Sequence, residues 1–400
     1  MAGFTDGSLD LTESQRLVRK SVRGICSAFD DEYWRERARA GEYPHEFVDT
    51  LADEGLMGAL VPQEYGGAGM DTRETVVMME EIAASGGGFA AAQAVHGGIY
   101  NSVPLVKYGS ESMKEDLLPR VARGEASIQA FCLTEPNAGS DSTSIETSAE
   151  RDGDGWVVNG QKIWISRVDV SDYAVLVART TPKSEVEKAT RGISMFLVDL
   201  DEAIGSGLEL DPIEKSVSEF VHSFQLYFDD LRLPADALIG EEGEGFYQVL
   251  EGLNEERLVI AAECLGLGRL AIECGVDYAN DREVFGRAIG SNQAIQHPLA
   301  EAFARLQAAR QLTYAGADAS ADGRDADLGA YANMAKFLAS DAAFEAADAA
   351  VQTHGGFGVA VEYDVERYFR EARLTRLVPI TQQLALNYVG EKVLGLPRSY

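Results

Sequence analysis

The apolar spacing of this chain changes twice, and those two changes limit how it can fold. From residue 1 to about 125, apolar residues recur at three- and four-residue steps. From about 126 to 240 they fall in short alternating runs, and from 241 to 400 the helical spacing returns. The order predicts an α+β protein with an N-terminal helical domain (1–125), a middle β-domain (126–240) and a C-terminal helical domain (241–400). LTESQRLVRKSVRGICSAF opens with Thr12 as a capping residue and carries Leu17, Val18, Val22, Ile25 and Phe29 at helical steps. VPQEYGGAGM, Val61 to Met70, reads as a turn-rich break, and residues 73–107 resume the helical pattern. WVVNGQKIWIS, YAVLVART, GISMFLVDL and FQLYFDDLRL read as strands, with TPKSEVEKATR a polar loop among them. ERLVIAAECLGLGRLAIECGVDYANDR reads as one long amphipathic helix, and two Ala-rich helices follow over roughly 297–320 and 326–353.

Two stretches of the middle region carry chemistry. CLTEPNAGSD, Cys132 to Asp141, reads as a tight polar turn: Pro136, Asn137 and Gly139 bend it, and Thr134 and Ser140 offer hydroxyls. NGQKIWIS, Asn159 to Ser166, reads as a strand with Ile163 and Ile165 on one face and Lys162, Trp164 and Ser166 on the other. Small donors beside an indole suit a flat, polar, heteroaromatic ligand.

These stretches resemble the signature of acyl-CoA dehydrogenases, a flavin-enzyme family with the same α–β–α order. The resemblance implies FAD as cofactor, bound by Phe131, Leu133, Thr134, Gly139, Ser140, Trp164, Ile165 and Ser166. Within that set Thr134 and Ser140 would bond the flavin or its neighbour, Trp164 would stack on the ring, and Ser166 would sit near its reactive nitrogen. Ser140 is also implied as a substrate contact. REVFGRAIGSNQAIQ resembles the family's R-x-x-F-G element, which implies that Arg282, Phe285 and Gln293 reach the pyrophosphate and adenosine part. A guanidinium suits that task because its planar fork bonds phosphate oxygens in pairs. QTHGGFGVAVEYDVERYFRE resembles a second signature and implies cofactor contacts at Gln352, Gly355 and Gly356. In the family this element reaches the flavin of a neighbouring subunit, so a homotetramer or homodimer is implied. His354, in the same loop, reads as a structural or phosphate-adjacent residue and not as a catalyst.

Oxidising an acyl thioester removes an α-proton and a β-hydride, and the proton needs a carboxylate in a dry setting. Many family members place a Glu for this just before a Gly-Thr near the C-terminus. Here Pro379 stands at that position, which removes both a carboxylate and a backbone N–H. Thr381 and Gln383 still match cofactor-contacting positions. Isovaleryl-CoA and long-chain members carry the base on the first turn of the long C-terminal helix, and there GLNEERLVIAAE offers Glu256. Glu255 would point about 100° away, and Glu263 lies two turns on along the face of Glu256. Asn254 and Arg257 resemble substrate-adjacent positions. Without the family, Glu255 and Glu256 read as carboxylates favoured by the helix dipole. Arg167, where Asn is usual, is expected to pair with Asp169 or Asp172 at the surface, and Ala90 to Ala92 with Gly97 and Gly98 suggest room for an acyl chain.

Composition bounds the partners. A net charge of −30 disfavours nucleic acid. The excess is spread along the chain, and only nine of the 35 basic residues are Lys. That pattern favours a high-salt cytoplasm, where screening removes self-repulsion, over an ordinary acidic enzyme. No run of eighteen apolar residues suggests a membrane span. The start, MAGFTDGSLDLTESQ, lacks an apolar stretch, so no signal segment and a cytoplasmic setting are expected. Cys26, Cys132, Cys264 and Cys274 form no C-x-x-C pair, and neither a disulfide framework nor a metal is expected. The function implied is FAD-dependent dehydrogenation of an acyl-CoA to a trans-2-enoyl-CoA, with electrons passed to an electron-transfer flavoprotein. An oxygen-reactive oxidase or monooxygenase on the same fold, or a non-catalytic flavin and acyl-CoA scaffold, stays open at this point.

Overall fold

The computed structural model describes residues 11–398. The MAGFTDGSLD start, on which the expectation of no signal segment rests, lies outside them. The N-terminal part holds α1 (Glu13–Cys26), α2 (Asp31–Ala40), α3 (His45–Asp53), α4 (Thr72–Ala83), α5 (Gly88–Tyr100), α6 (Val103–Tyr108) and α7 (Glu111–Ala122). Thr12 caps α1 as its spacing predicts. Its hydroxyl accepts from the Gln15 amide at 3.2 Å, while the Gln15 side chain accepts from the Thr12 amide at 2.9 Å. Gln63–Tyr65 is a short 3-10 turn inside the expected break before α4.

The middle part is one mixed sheet of β1 (Ile128–Cys132), β2 (Ser148–Asp152), β3 (Gly155–Ser166), β4 (Tyr173–Arg179), β5 (Ile193–Asp199), β6 (Leu208–Pro212), β7 (Ser223–Leu233) and β8 (Leu238–Ile239). Its order is β6-β7-β3-β2-β4-β5-β8, with β1 pairing β4 in parallel. One face of β4 puts Ala174, Leu176 and Ala178 into one core, and the other puts Val175 and Val177 against Leu105, Leu117 and Val121. Burial on both faces explains why YAVLVA shows an unbroken apolar run. The sheet strands absent from the sequence reading are β1, β2 and β6, of five residues each, and β8, of two, all too short for alternation to stand out.

The short α8 (Leu200–Ala203) lies within the sheet region, and α9 (Gly245–Leu250) leads out of it. The C-terminal part holds α10 (Leu253–Asp281), a two-stranded hairpin of β9 (Glu283–Val284) and β10 (Arg287–Ala288), α11 (Gln293–Ala321), α12 (Asp325–His354), α13 (Val365–Thr375) and α14 (Gln382–Tyr388). The structure corrects one expectation here. α10 is buried on every face from Leu258 to Gly268 and is not amphipathic there, because α4, α5, α11, α12 and α13 surround it. REVFGRAIGSNQAIQ, for which the sequence implied ligand contacts but no element, contains the hairpin and the start of α11. The two helical ends of the chain share one apolar core, in which Val76, Ile82 and Phe89 pack with Leu258, Leu265 and Ala343.

Small residues set how closely these helices approach. A Cβ at Gly266 would stand 2.2 Å from the Glu80 carbonyl oxygen of α4. α4 also lends α10 two buried carboxylates: Arg269 reaches Glu80 and Glu81, and Arg310 of α11 reaches Glu80 at 3.0 Å. No helix among the described residues is long and apolar enough to cross a membrane. All four cysteines are free. Gly266→Val is expected to force α4 and α10 apart and to lower unfolding stability by at least ~1–3 kcal/mol, measured by urea denaturation.

Candidate functional site

The polar turn and the indole are joined by a buried ion pair that the sequence reading did not single out. Lys162 of β3 is fully buried, and its ammonium donates to Glu135 at 2.7 Å and to the Leu133 carbonyl at 3.0 Å. Glu135 also accepts from the amides of Glu146 and Thr147 at 2.6 and 3.0 Å. Burial opposes its charge, but Lys162 and these amides together hold Glu135 below the usual carboxylate range. The same burial pulls Lys162 down. The pair fastens the turn to the strand, and the Ile163 amide donates to the Thr134 carbonyl at 2.9 Å beside it.

The strand does not alternate as expected, and this is a correction. The register of β3 against β7 shifts between Lys162 and Ile165, and Trp164 takes φ +62°. This bulge puts Lys162 in the interior and turns Trp164 outwards, with 57% of its surface exposed. Ile165 returns to the sheet core, which leaves only its backbone for a ligand. The Ser166 hydroxyl shares a 2.9 Å hydrogen bond with Ser223. Among the described residues the hydroxyls of Thr134 and Ser140 bond to nothing in the chain, and Gly139 faces open space. Phe131 and Leu133 are half-buried at the end of β1. An outward indole beside free donors fits a flat flavin ring.

Arg167 follows Ser166 and overturns another expectation. It does not pair at the surface. It is buried, donating through Nη1 to the Gln93 carbonyl at 2.7 Å and through Nε to that of Gln129 at 3.3 Å. Asp169 instead bonds His222, and Asp172 accepts from Ser127. Arg167 also fills the space beside Gly97, where a Cβ would meet the Gln129 carbonyl at 2.3 Å. Gly98 abuts Met57 in the same way. These glycines therefore serve close packing and open no room for an acyl chain.

Glu256 stands on the first turn of α10, with 22% of its side chain exposed. His96 of α5 lies between it and Glu263, with Nε2 3.7 Å from Glu256 and Nδ1 2.7 Å from Glu263. Glu263 has no exposed surface, and its second oxygen accepts from Gln93 at 2.7 Å. The face shared by Glu256 and Glu263 in the sequence is thus occupied by one imidazole. Burial alone would lower the His96 pKa, but Glu263 and Glu256 raise it to about 9. Tyr100 stacks on His96 with ring centres 5.9 Å apart and bonds the Gly252 carbonyl at the start of α10. Arg257 donates to Asn254 at 2.8 Å, and burial pushes its pKa down. Two buried polar atoms in this turn, Arg257 Nε and Glu255 Oε2, have no partner among the described residues. An orphaned donor and acceptor beside Glu256 suit a polar ligand.

Pro379 is exposed, after α13. Thr381 caps α14 by accepting from Leu384 at 3.3 Å, and Gln383 is exposed beside it. The remaining predicted residues gather elsewhere. Arg282 follows the last residue of α10, Phe285 tips the hairpin fully exposed at φ +55°, and Gln293 starts α11. Gln352, Gly355 and Gly356 sit at the end of α12, where His354 stacks on Tyr278 of α10 at 4.2 Å. His354 Nδ1 donates to the Ala350 carbonyl of its own helix at 2.8 Å. Glu256 and Arg282 are therefore at opposite ends of one helix, roughly 39 Å apart at its rise per residue. One copy of the chain does not bring the two sets together.

Three family models match: "Acyl-CoA dehydrogenase, N-terminal domain" over residues 12–125, the middle domain over 130–231, and the C-terminal domain over 243–394. The chain is 37% identical to acyl-CoA dehydrogenase FadE12 of Mycobacterium tuberculosis, over 99% of this chain and 100% of that one. It is 34% identical to an acyl-CoA dehydrogenase of Bacillus subtilis, over 97% and 100%. Its structure is similar to butyryl-CoA dehydrogenase from Megasphaera elsdenii, with a TM-score of 0.90, 30% identity, and 96% and 99% of the two chains covered.

Removing the ammonium from the turn should loosen it. Lys162→Met leaves Glu135 buried without its counter-ion and is expected to cost about 3 kcal/mol in urea unfolding at pH 7.

Proposed function

The chain belongs to the acyl-CoA dehydrogenase family, and on that premise we propose that it converts an acyl-CoA to its trans-2-enoyl-CoA with Glu256 as the base. It is an oxidoreductase acting on acyl-CoA, and FAD is its cofactor. The observation that carries the assignment of the base is the placement of Glu256, half-buried on α10 among His96, Tyr100 and Arg257, while Pro379 offers neither carboxylate nor N–H.

The residues present fit the flavin. Trp164 would cover one face of the ring, and Thr134, Ser140 and Ser166 would bond its edge, flanked by Phe131, Leu133, Gly139 and the Ile165 backbone. FAD, when bound, supplies the acceptor for the β-hydride. The chain supplies the rest. The α C–H bond breaks as its proton passes to the Glu256 carboxylate, and the electron pair left behind forms the C=C as the β-hydride departs. The half-buried setting of the first turn of α10 limits the water that would reach that transfer. Asn254, Arg257 and Ser140 would hold the acyl-CoA, and the orphaned Arg257 Nε supports that role.

The separation of Arg282 from Glu256 supports a homo-oligomer. Arg282, Phe285, Gln293, Gln352, Gly355 and Gly356 would serve the flavin of a second copy, with Thr381 and Gln383 adding further contacts. The exposed apolar side chains of Phe285, Phe357, Val359 and Val361 suit a subunit interface. A tetramer is the reading preferred over a dimer. An electron-transfer flavoprotein would take the electrons, in a cytoplasm rich in salt. Domain limits at 125/126 and 240/241 are part of the same proposal.

Anaerobic mixing of the FAD-loaded protein with straight and branched acyl-CoAs from C4 to C16 tests the reading. The flavin should bleach with at least one of them. Glu256→Gln should retain FAD and slow bleaching about 100- to 10,000-fold, while Glu255→Gln should bleach at close to the normal rate. Bleaching that survives in Glu256→Gln would move the base elsewhere. Reoxidation of the reduced flavin by air within seconds would assign the chain to oxygen-reactive chemistry instead.

A further inference from the structure

Glu263 and His96 form a pair that the proposed reaction does not require. A base on the first turn of α10 needs no second carboxylate two turns away, yet one is buried there completely. Burying an ionised carboxylate costs several kcal/mol unless it is paired and fully bonded. Glu263 meets both conditions, with Gln93 on one oxygen and His96 on the other, each at 2.7 Å. Its imidazole partner then has one ring nitrogen committed, and the other points at Glu256.

We propose that His96, clamped by Glu263, is a positioning residue that fixes the direction and the charge of the Glu256 carboxylate. The inference rests on Glu256 being the base. The groups around the pair are few. From α10, Glu256 and Glu263 face the imidazole, and Tyr100 stacks on it from its own helix. Arg257 and the Tyr100 hydroxyl act on Glu256, and Arg167, after β3, acts on both carboxylates. His96 hydrogen-bonds Glu263 at 2.7 Å and stands within ion-pair distance of Glu256 at 3.7 Å, so it is placed between both carboxylates.

The charge argument has a definite sign. Held between two carboxylates, His96 stays protonated up to about pH 9. A cation placed between two carboxylates offsets their mutual repulsion, and removing it leaves Glu256 on the same face as Glu263 with no charge between them. Orientation works the same way: a Glu side chain has three torsions, and a fixed imidazolium selects among them. Because the folded value of His96 lies above its usual 6.5, the stability it contributes is complete below about 6.5 and is lost as pH rises through about 9.

Two measurements test this. The first needs no substrate: imidazole signals of the FAD-loaded protein are followed by NMR against pH, with His96 assigned among the five histidines by its loss in His96→Gln. In wild type His96 should titrate near pH 9, and in Glu263→Gln its midpoint should fall by at least one pH unit. The second is the pH profile of flavin bleaching by the best acyl-CoA. His96→Gln and Glu263→Gln should each move the acid limb about one to two pH units upwards, with the rate recovering at high pH. A purely structural role would lower the rate equally at every pH. Wild-type His96 titrating near 6.5, or an acid limb unmoved in both variants, would overturn the proposal. If His96→Gln fails to hold FAD, the wild-type titration and the isosteric Glu263→Gln decide. Bleaching that persists in Glu256→Gln marks failure of the base assignment itself, a separate outcome from either.

Discussion

Glu263 is the fixed point of this molecule. It is a carboxylate without exposed surface, in the middle of a helix that other helices enclose. Such a group is tolerated only while both oxygens are bonded, and its partners Gln93 and His96 come from one helix, α5. Any slide or rotation of α5 along α10 would orphan it, so the pair sets the register of the two helices. The constraint then passes outwards. The carbonyl of the same Gln93 accepts from Arg167, and Arg167 follows directly on the strand end that carries Trp164 and Ser166. One buried chain of polar contacts thus fixes where the β-domain stands relative to the carboxylates of α10. Apolar packing around it supplies most of the stability but not this registration, because non-directional contacts tolerate sliding.

Pattern in the sequence revealed elements wherever one face of an element met water. Thr12 and α1, the strand β7, and the Ala-rich α11 and α12 were legible in this way, while β4 and β5, buried on both faces, showed instead as short unbroken apolar runs. Pattern failed where a long helix was enclosed or where a single residue broke the period. α10 looked amphipathic from its charged ends, but its centre is enclosed, and an enclosed helix has no polar face to reveal. Trp164 was placed on the wrong face because a bulge cannot be read from spacing. Gly97 and Gly98 were read as room and turned out to be contact, since a small side chain looks the same in either role.

The site shows the same division more sharply. Glu256 and Glu263 were legible as one helical face, but what occupied that face was not, since His96 lies 160 residues earlier in the chain than Glu256. Arg167 was misplaced for a related reason. Next to Asp169 and Asp172 it reads as half of a surface pair, yet two backbone carbonyls from α5 and β1 hold it inside. Lys162 and Glu135, each inside a recognisable stretch, were noticed only as members of their motifs. Their bond explains why those motifs occur together: the turn keeps its shape because a buried ammonium ties it to the strand.

The strong negative charge of the whole chain and the cations near Glu256 obey different rules. Surface carboxylates act through solvent, and at about 1 M salt their fields fade within roughly 3 Å. His96, Arg167 and Arg257 are enclosed, so dissolved ions do not screen them from Glu256. A chain can therefore accumulate acidic residues on its exterior without disturbing the carboxylates inside, provided that the buried charges are compensated locally. Here they are: two carboxylates on one face of α10 meet an imidazolium between them and two guanidinium groups nearby. Local compensation of this kind lets the exterior answer to its solvent while Glu256 answers chiefly to its neighbours.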